Sequence, residues 1–178
     1  LKGHPLISWS IAACKKSKLI DRVIVSTDSK NYADLAISLG AEAPFLRPSD
    51  ISGDNCSDIY FIKHALSFLN HKNQRADYIA HIRPTTPLRN PKLIDDAISL
   101  FLKSKASSLR SVSQMAESAY KYFEINKEGY LKTIGNNESS IDSVNNVRQG
   151  FPSTFVPNGY VDVLSVEFIN KSGLIHGN

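Results

Sequence analysis

The sequence predicts an α/β protein with a mainly parallel sheet covered by helices on both faces. Short apolar runs rich in β-branched residues, such as Val23-Ile24-Val25, alternate with segments of helical periodicity. This alternation repeats over most of the chain. Repeated strand–helix units favour parallel strands joined by right-handed crossovers, with the helices packed on the two faces of the sheet.

The helices are predicted from apolar residues that recur every three or four positions. Asp28 is a candidate N-cap and Gly40 a stop for one helix, and Asn90-Pro91 is a cap followed by a first-turn proline for another. The predicted helices cover residues 5–17, 29–39, 58–69, 91–101 and 166–170.

The strands are predicted at residues 23–25, 43–46, 77–82, 108–112 and 161–164. The pattern changes after Val112, where residues 120–125 and 130–134 alternate around Lys127-Glu128-Gly129 and predict a β-hairpin. Residues 135–146 are rich in Asn and Ser and predict a loop. An arm of this kind, over about 120–148, is a common way to build a dimer contact.

The composition is that of one folded domain. The chain has 178 residues, of which 42% are hydrophobic, and this content excludes wholesale disorder. No apolar run approaches the ~18 residues of a membrane span, and no secretory signal opens the chain. We therefore expect a single domain over residues 1–178, a cytoplasmic location and no membrane partner.

Charge and cysteine usage exclude two further classes. The net charge is +4, but the basic residues are dispersed and no nucleic-acid motif accompanies them, so we expect no nucleic-acid partner. Cys14 and Cys56 lack the spacing of metal ligands. Two reduced thiols suit the chain better than one disulfide, and we predict no metal site within it.

Polar residues follow several predicted strands, where ligands bind in open α/β sheets. Arginine forks and hydroxyls together suit a nucleotide, a sugar acid or both. For each arginine, pairing with loop carbonyls or a surface carboxylate is the alternative. Pro84 and Pro87 make the loop that holds Thr85 and Thr86 rigid. The polar segments are 26–28, Arg47, 83–89, 148–149 and 158–159.

The order of these motifs resembles the acylneuraminate cytidylyltransferases, or CMP-sialic acid synthetases, of the bacterial nonulosonic-acid type. Each piece is short, but five occur in the right order over nearly the whole chain. The matching pieces are Gly3-His4-Pro5-Leu6-Ile7, Val25-Ser26-Thr27-Asp28, Gly40-Ala41-Glu42 through Phe45-Leu46-Arg47-Pro48, Arg83-Pro84-Thr85-Thr86-Pro87-Leu88-Arg89, and Arg148-Gln149 followed by Pro157-Asn158-Gly159.

The resemblance implies a Rossmann-like nucleotidyltransferase fold with a β-hairpin dimerisation arm, and a reaction of CTP with a nonulosonic acid that releases pyrophosphate. Members work as homodimers. It also implies that Arg47 and the backbone near Cys56 lie against the cytosine, with Asp58 near the ribose. The sugar-acid pocket implied by the resemblance comprises Arg83, Thr85, Thr86, Lys121, Arg148, Gln149, Asn158 and Asp162, with Lys121 reaching a partner's site.

Two positions depart from the sialic acid pattern. Arg83 stands where those synthetases usually have Gln, and Asp162 stands where many have Tyr. The departures argue against N-acetylneuraminate itself as the substrate and favour legionaminate or another sialic-like nonulosonic acid. Synthetases for 3-deoxy-manno-octulosonate and a non-catalytic nucleotide-binding domain remain alternatives.

The resemblance also implies parts that these residues do not contain. The family opens with a strand and a Gly/Arg/Lys-containing phosphate loop, and later carries an Asp-Ile-Asp-type element that binds Mg²⁺. The cofactor is thus expected to be Mg²⁺, with its carboxylates outside this span. We expect the span alone to be inactive or crippled. The sequence does not identify the catalytic residues.

Overall fold

The computed structural model describes residues 1–134 and 141–177, which form two compact units. One unit comprises Leu1–Ser111 and Gly159–Asn178, and the other comprises Val112–Asn158. The helices are α1 (Leu6–Lys16), α2 (Lys30–Ser38), α3 (Asp58–His71), α4 (Pro91–Lys103) and α5 (Val166–Ser172). The strands are β1 (Tyr78–His81), β2 (Ser108–Gln114), β3 (Phe123–Ile125), β4 (Leu131–Thr133) and β5 (Phe155–Ser165).

The predicted helices are all present, with ends shifted by a few residues. Asn90 caps α4, because its side-chain oxygen accepts a hydrogen bond from the Lys92 amide at 3.0 Å. The predicted cap of α2 is wrong. Ser29 rather than Asp28 is the N-cap, and its hydroxyl accepts from the Tyr32 amide at 3.4 Å.

The predicted strands at 23–25 and 43–46 are not formed. In their place the structure has one isolated parallel bridge between Ile24 and Glu42. The Val25 amide donates to the Glu42 carbonyl, and the Glu42 amide donates to the Val23 carbonyl, both at 2.8 Å. The next donor in a parallel ladder would be the amide of residue 44. Residue 44 is proline, which has no N–H, and the ladder stops there.

The remaining strands form a sheet in the order β1-β5-β2. β1 and β5 are antiparallel, with Tyr78 opposite Ser165 and His81 opposite Asp162. The prediction of a mainly parallel sheet is therefore wrong, because β1–β5 and β3–β4 are antiparallel and the parallel pairing of Ile24 with Glu42 is an isolated bridge. The chain re-enters the sheet after residues 112–154 as β5, which runs opposite to β1.

Both faces of the sheet are covered in the unit that contains β1. Side chains alternate along β5, so that Val161 and Val163 pack with Ile94 and Ile98 of α4. Leu164 points to the other face, where it joins a core that includes Ile62 and Leu66 of α3 and Ile169 of α5. The α/β class, with helices on the two faces of the sheet, is thus confirmed in this unit.

The second unit contains the predicted hairpin. β3 and β4 are antiparallel, with Glu124 opposite Lys132. Gly129 occupies the turn at φ +87°, a left-handed conformation that favours glycine. Part of the predicted 135–146 loop lies outside the described residues, and Ile141–Asn145 form a 3-10 helix. The role of about 120–148 as a dimerisation arm stays a prediction.

Across 1–134 and 141–177, every helix is too short or too polar to cross a membrane.

Candidate functional site

A cluster of opposite charges lies beside the carboxyl end of β1. The Arg83 guanidinium follows β1 and contacts the Asp58 carboxylate through Nη2. Its Nη1 lies 3.2 Å from Oδ2 of Asp162, on the neighbouring strand β5. Asp58 begins α3, where the positive end of the helix dipole also favours a carboxylate. The cluster thus joins three of the predicted site residues directly.

A third strand contributes to the same cluster. Arg110 on β2 reaches Asp162 with Nε 3.3 Å from Oδ1 and Nη2 3.4 Å from Oδ2. The Asp162 side chain is only 3% exposed, whereas that of Arg110 is 38% exposed. A buried carboxylate requires such partners, because an unpaired charge in the interior is costly.

Two histidines flank this cluster. His81 on β1 makes an edge contact with Phe61 of α3, with ring centroids 5.7 Å apart. Burial lowers the pKa of His81, and the nearby Arg83 charge lowers it further. Burial and then the Arg110 charge lower the pKa of His176. Both imidazoles are therefore neutral at pH 7.

Arg89 holds the loop that carries Arg83. Its buried guanidinium donates from Nη2 to the carbonyls of Arg83 and Gly159, and from Nε to the carbonyl of Tyr160. It also donates from Nη1 to the Ser10 hydroxyl at 2.9 Å. For Arg89, the structure therefore shows the alternative to ligand binding, which is pairing with loop carbonyls. Arg89 fixes the loop against β5 and α1.

A cleft of about 660 Å³ opens between residues 23–26, β1 and α3. Four predicted site residues line it, namely Arg47, Asp58, Arg83 and Thr85. Much of its remaining wall is apolar. The Ser26 hydroxyl and Arg47 Nε are buried without a hydrogen-bond partner among the described residues. Several of these apolar wall residues, such as Ile11, Ile62 and Leu66, belong to the buried core.

The other predicted residues of this unit lie around that cleft or apart from it. Arg47 stacks over the Phe61 ring at 5.4 Å and lies 3.8 Å from Asp28. Cys56 lines a separate pocket of about 380 Å³ with Asp54 and Tyr60. Thr86 lies against Gly159, where an added Cβ would come within 3.1 Å of its hydroxyl.

Four predicted site residues belong to the unit of 112–158, where they are described by themselves. Lys121 donates to the Asn146 carbonyl at 3.1 Å, and its ammonium lies 5.4 Å from the Phe151 ring centre. Arg148 and Gln149 are exposed in a 3-10 turn. The Asn158 amide donates to the Ser113 hydroxyl at 3.0 Å. Their assignment to a sugar-acid pocket stays a prediction.

The described residues contain no cluster of metal-ligating side chains. Within 1–134 and 141–177, no three side chains of His, Cys, Asp or Glu come together to hold a metal ion. Asp58 and Asp162 are instead engaged by arginines. No chemical step can therefore be assigned to a metal from these residues.

Sequence reasoning did not single out Arg110, His81 or His176 as site residues. A signal for Arg110 was present: a charged residue inside the predicted strand 108–112 needs either solvent or a partner. No pattern marked His176, because its neighbours in the cluster are far away along the chain.

The structure thus has an α/β unit with a cleft at which guanidinium, hydroxyl and carboxylate groups come together. The chain belongs to the cytidylyltransferase family, whose model matches residues 1–142. A pseudaminic acid cytidylyltransferase of Campylobacter jejuni is 29% identical over 129 residues, which is 72% of this chain and 56% of that protein.

Two further relatives extend the comparison. The CMP-N,N'-diacetyllegionaminic acid synthase of Legionella pneumophila is 34% identical over 116 residues, which is 65% of this chain and 50% of that protein. The chain thus spans about half the length of these curated relatives. A solved CMP:2-keto-3-deoxy-manno-octonic acid synthetase complexed with CTP has a TM-score of 0.63 and 13% identity, and the alignment covers 98% of this chain and 69% of that one. This last likeness supports the fold.

Proposed function

We propose that the full-length protein transfers CMP from CTP to a sialic-like nonulosonic acid and releases pyrophosphate. The observation that carries the proposal is the match of the cytidylyltransferase family model to residues 1–142, and the structure adds a cleft around which Arg47, Asp58, Arg83 and Thr85 lie. The first two of these residues were assigned to CTP and the last two to the sugar acid. A transferase needs its two substrates side by side, and one cleft that collects both groups of residues meets that need.

The reaction joins the anomeric hydroxyl oxygen of the sugar acid to the α-phosphorus of CTP. The bond from that phosphorus to the oxygen bridging to the β-phosphorus breaks, and pyrophosphate leaves as the hydroxyl gives up its proton. Catalysis of such a transfer consists mainly of alignment and charge neutralisation. The chain's own contribution is therefore to bind and orient the two substrates.

On the CTP side, we propose that Arg47 contacts the base and Asp58 the ribose. Arg47 is held by stacking on Phe61, and its Nε has no hydrogen-bond partner among the described residues. A base carbonyl would satisfy that buried donor. Cys56 lies in a separate pocket, which gives weaker support for its backbone as a base contact.

On the sugar-acid side, we propose that Arg83, Thr85 and Thr86 contact the acceptor. Arg148, Gln149 and Asn158 are proposed as acceptor contacts from the resemblance alone. Support for Arg83 comes from its place in the cleft. Relatives that act on pseudaminic or diacetyllegionaminic acid, by their names, support an acceptor of this class.

We also propose a homodimer in which the β3–β4 hairpin contacts the partner and Lys121 reaches the partner's site. The hairpin exposes large apolar side chains, with Ile125 at 73% and Tyr130 at 72% relative exposure. Apolar surface of this kind favours a protein contact. Dependence on Mg²⁺ is proposed from the resemblance alone.

The test is pyrophosphate release by the full-length protein with CTP and a panel of nonulosonic acids. We expect turnover with at least one acylamino-bearing acid and a CMP-sugar product identified by mass spectrometry. Turnover with 3-deoxy-manno-octulosonate only would move the acceptor to that class. CTP binding without turnover on any acid would contradict the proposal and favour a nucleotide-binding domain.

A further inference from the structure

One buried carboxylate organises two arginines from different strands. β5 lies between β1 and β2, so Asp162 is flanked on both sides. Arg83 approaches from just beyond β1 at 3.2 Å, and Arg110 approaches from β2 at 3.3 Å. Removing the Asp162 charge would release both guanidinium groups from their common anchor.

The cluster has no excess charge. Arg83 also contacts Asp58, so two guanidinium groups face two carboxylates and the formal sum is zero. The lowered pKa values of His81 and His176 leave these neighbours uncharged at pH 7. A balanced cluster is a poor counter-ion for a substrate carboxylate, because any anion must compete with Asp58 and Asp162 for the arginines.

Arginine in a fixed geometry is nevertheless a strong hydrogen-bond donor. The planar group carries five N–H donors and accepts none. The Arg110 side chain is 38% exposed, so part of this donor surface meets solvent. Because the cluster has no net charge, its N–H donors are suited to neutral oxygens, such as hydroxyls and amide carbonyls.

We propose that Arg83, Asp162 and Arg110 form one specificity element, which selects the sugar acid through the carbonyl oxygen of an acylamino substituent. Asp162 is the positioning residue that orients both arginines. This inference rests on the proposed function, and it adds Arg110 as a selectivity residue.

The experiment compares two acceptors that share the carboxylate but differ in acylamino groups, N,N'-diacetyllegionaminic acid and 3-deoxy-manno-octulosonate. The selectivity is the ratio of their kcat/KM values, measured with the full-length protein. Asp162→Asn and Arg110→Gln are each expected to lower this ratio about tenfold or more, the size of a lost charge-assisted hydrogen bond. The KM for CTP should change less than about twofold, because the lost contact is to the sugar acid and affects the kinetic constants for that substrate.

Arg110→Lys separates geometry from charge. Lysine keeps the charge but lacks the planar fork, and we expect it to leave the selectivity ratio low. Arg110 is half-exposed, so its variants remain informative if Asp162→Asn fails to fold, which circular dichroism and thermal melting will show. Glu167→Gln, which breaks an exposed ion pair on α5, is the matched control and should keep the ratio unchanged.

The outcomes separate the two proposals. Equal losses of kcat/KM on both acceptors, or full rescue by Arg110→Lys, would overturn the specificity element while leaving the proposed function intact. Failure of the unaltered protein to convert any acid would overturn both.

Discussion

Arg83 and Asp162 are in direct contact, with Nη1 of one 3.2 Å from Oδ2 of the other. These are the two positions at which the sequence departs from the pattern of the sialic acid synthetases that it resembles. The resemblance implies a Gln and a Tyr at these positions, and in this chain Arg83 and Asp162 form an ion pair there. The contact explains how an arginine can occupy this place without an unpaired charge.

The first prediction concerns Arg83→Gln in the full-length protein. The variant should change the preference among nonulosonic acids and lower kcat/KM for the sugar acid about tenfold, with a smaller change in the KM for CTP. Combining it with Asp162→Asn should add little, because residues in one ion-pair network are non-additive. Fully additive losses would show that the two positions act independently.

The second prediction concerns the buried anchor Arg89. Arg89→Met leaves three backbone carbonyls and the Ser10 hydroxyl without this donor, and should lower the free energy of unfolding by about 3 kcal/mol or more. Urea denaturation measures the loss. Arg75→Met on the exposed surface is the control and should cost less than about 0.5 kcal/mol. Similar losses in both variants would contradict the anchoring role.

The third prediction concerns pH. Burial lowers the pKa of His81 and of His176 in the folded protein, so the unfolded chain binds more protons at mildly acidic pH. Their contribution to stability is present above about pH 6.5, the ordinary histidine pKa, and is lost as pH falls through the folded pKa values. Thermal melts from neutral to mildly acidic pH should show a falling Tm, with a weaker fall in His176→Gln. Parallel curves for the two proteins would contradict the assignment to His176.

The fourth prediction compares two residues of α4. Ile98 is fully buried and Leu100 is 62% exposed. Ile98→Ala should lower the free energy of unfolding by about 2–5 kcal/mol through lost burial and a cavity. Leu100→Ala should stay within about 0.5 kcal/mol of the parent. Chemical denaturation of both variants checks the placement of the core, and a large loss from Leu100→Ala would indicate that another surface covers it.

The fifth prediction concerns the hairpin. Ile125→Lys with Tyr130→Lys places charges on its exposed apolar surface and should convert the proposed dimer of the full-length protein to a monomer. Sedimentation velocity measures the assembly state. Lys127→Glu in the turn is the control and should leave the dimer intact. A monomeric unaltered protein, or a dimer that survives both lysines, would contradict the hairpin contact.

The local elements were predictable because their signals are local. The α4 cap requires only Asn90 and the Lys92 amide, and the hairpin turn requires Gly129 near its centre. The absence of a regular strand at 43–46 could also have been predicted, since Pro44 lacks the N–H donor that a β-ladder needs. The cap of α2 was harder, because Asp28 and Ser29 are both good caps and the backbone conformation decides between them.

The sequence by itself determined the α/β class, the order of the helices, the hairpin and the family. These follow from periodicity, caps and short motifs, which depend on residues a few positions apart. Only the tertiary structure decided that β5 lies between β1 and β2 and runs antiparallel to β1. It also decided that Asp162 meets Arg83 from 79 positions away and Arg110 from 52. Strand order and long-range ion pairs depend on how the whole chain packs, and no local pattern encodes which distant charges will share one buried site.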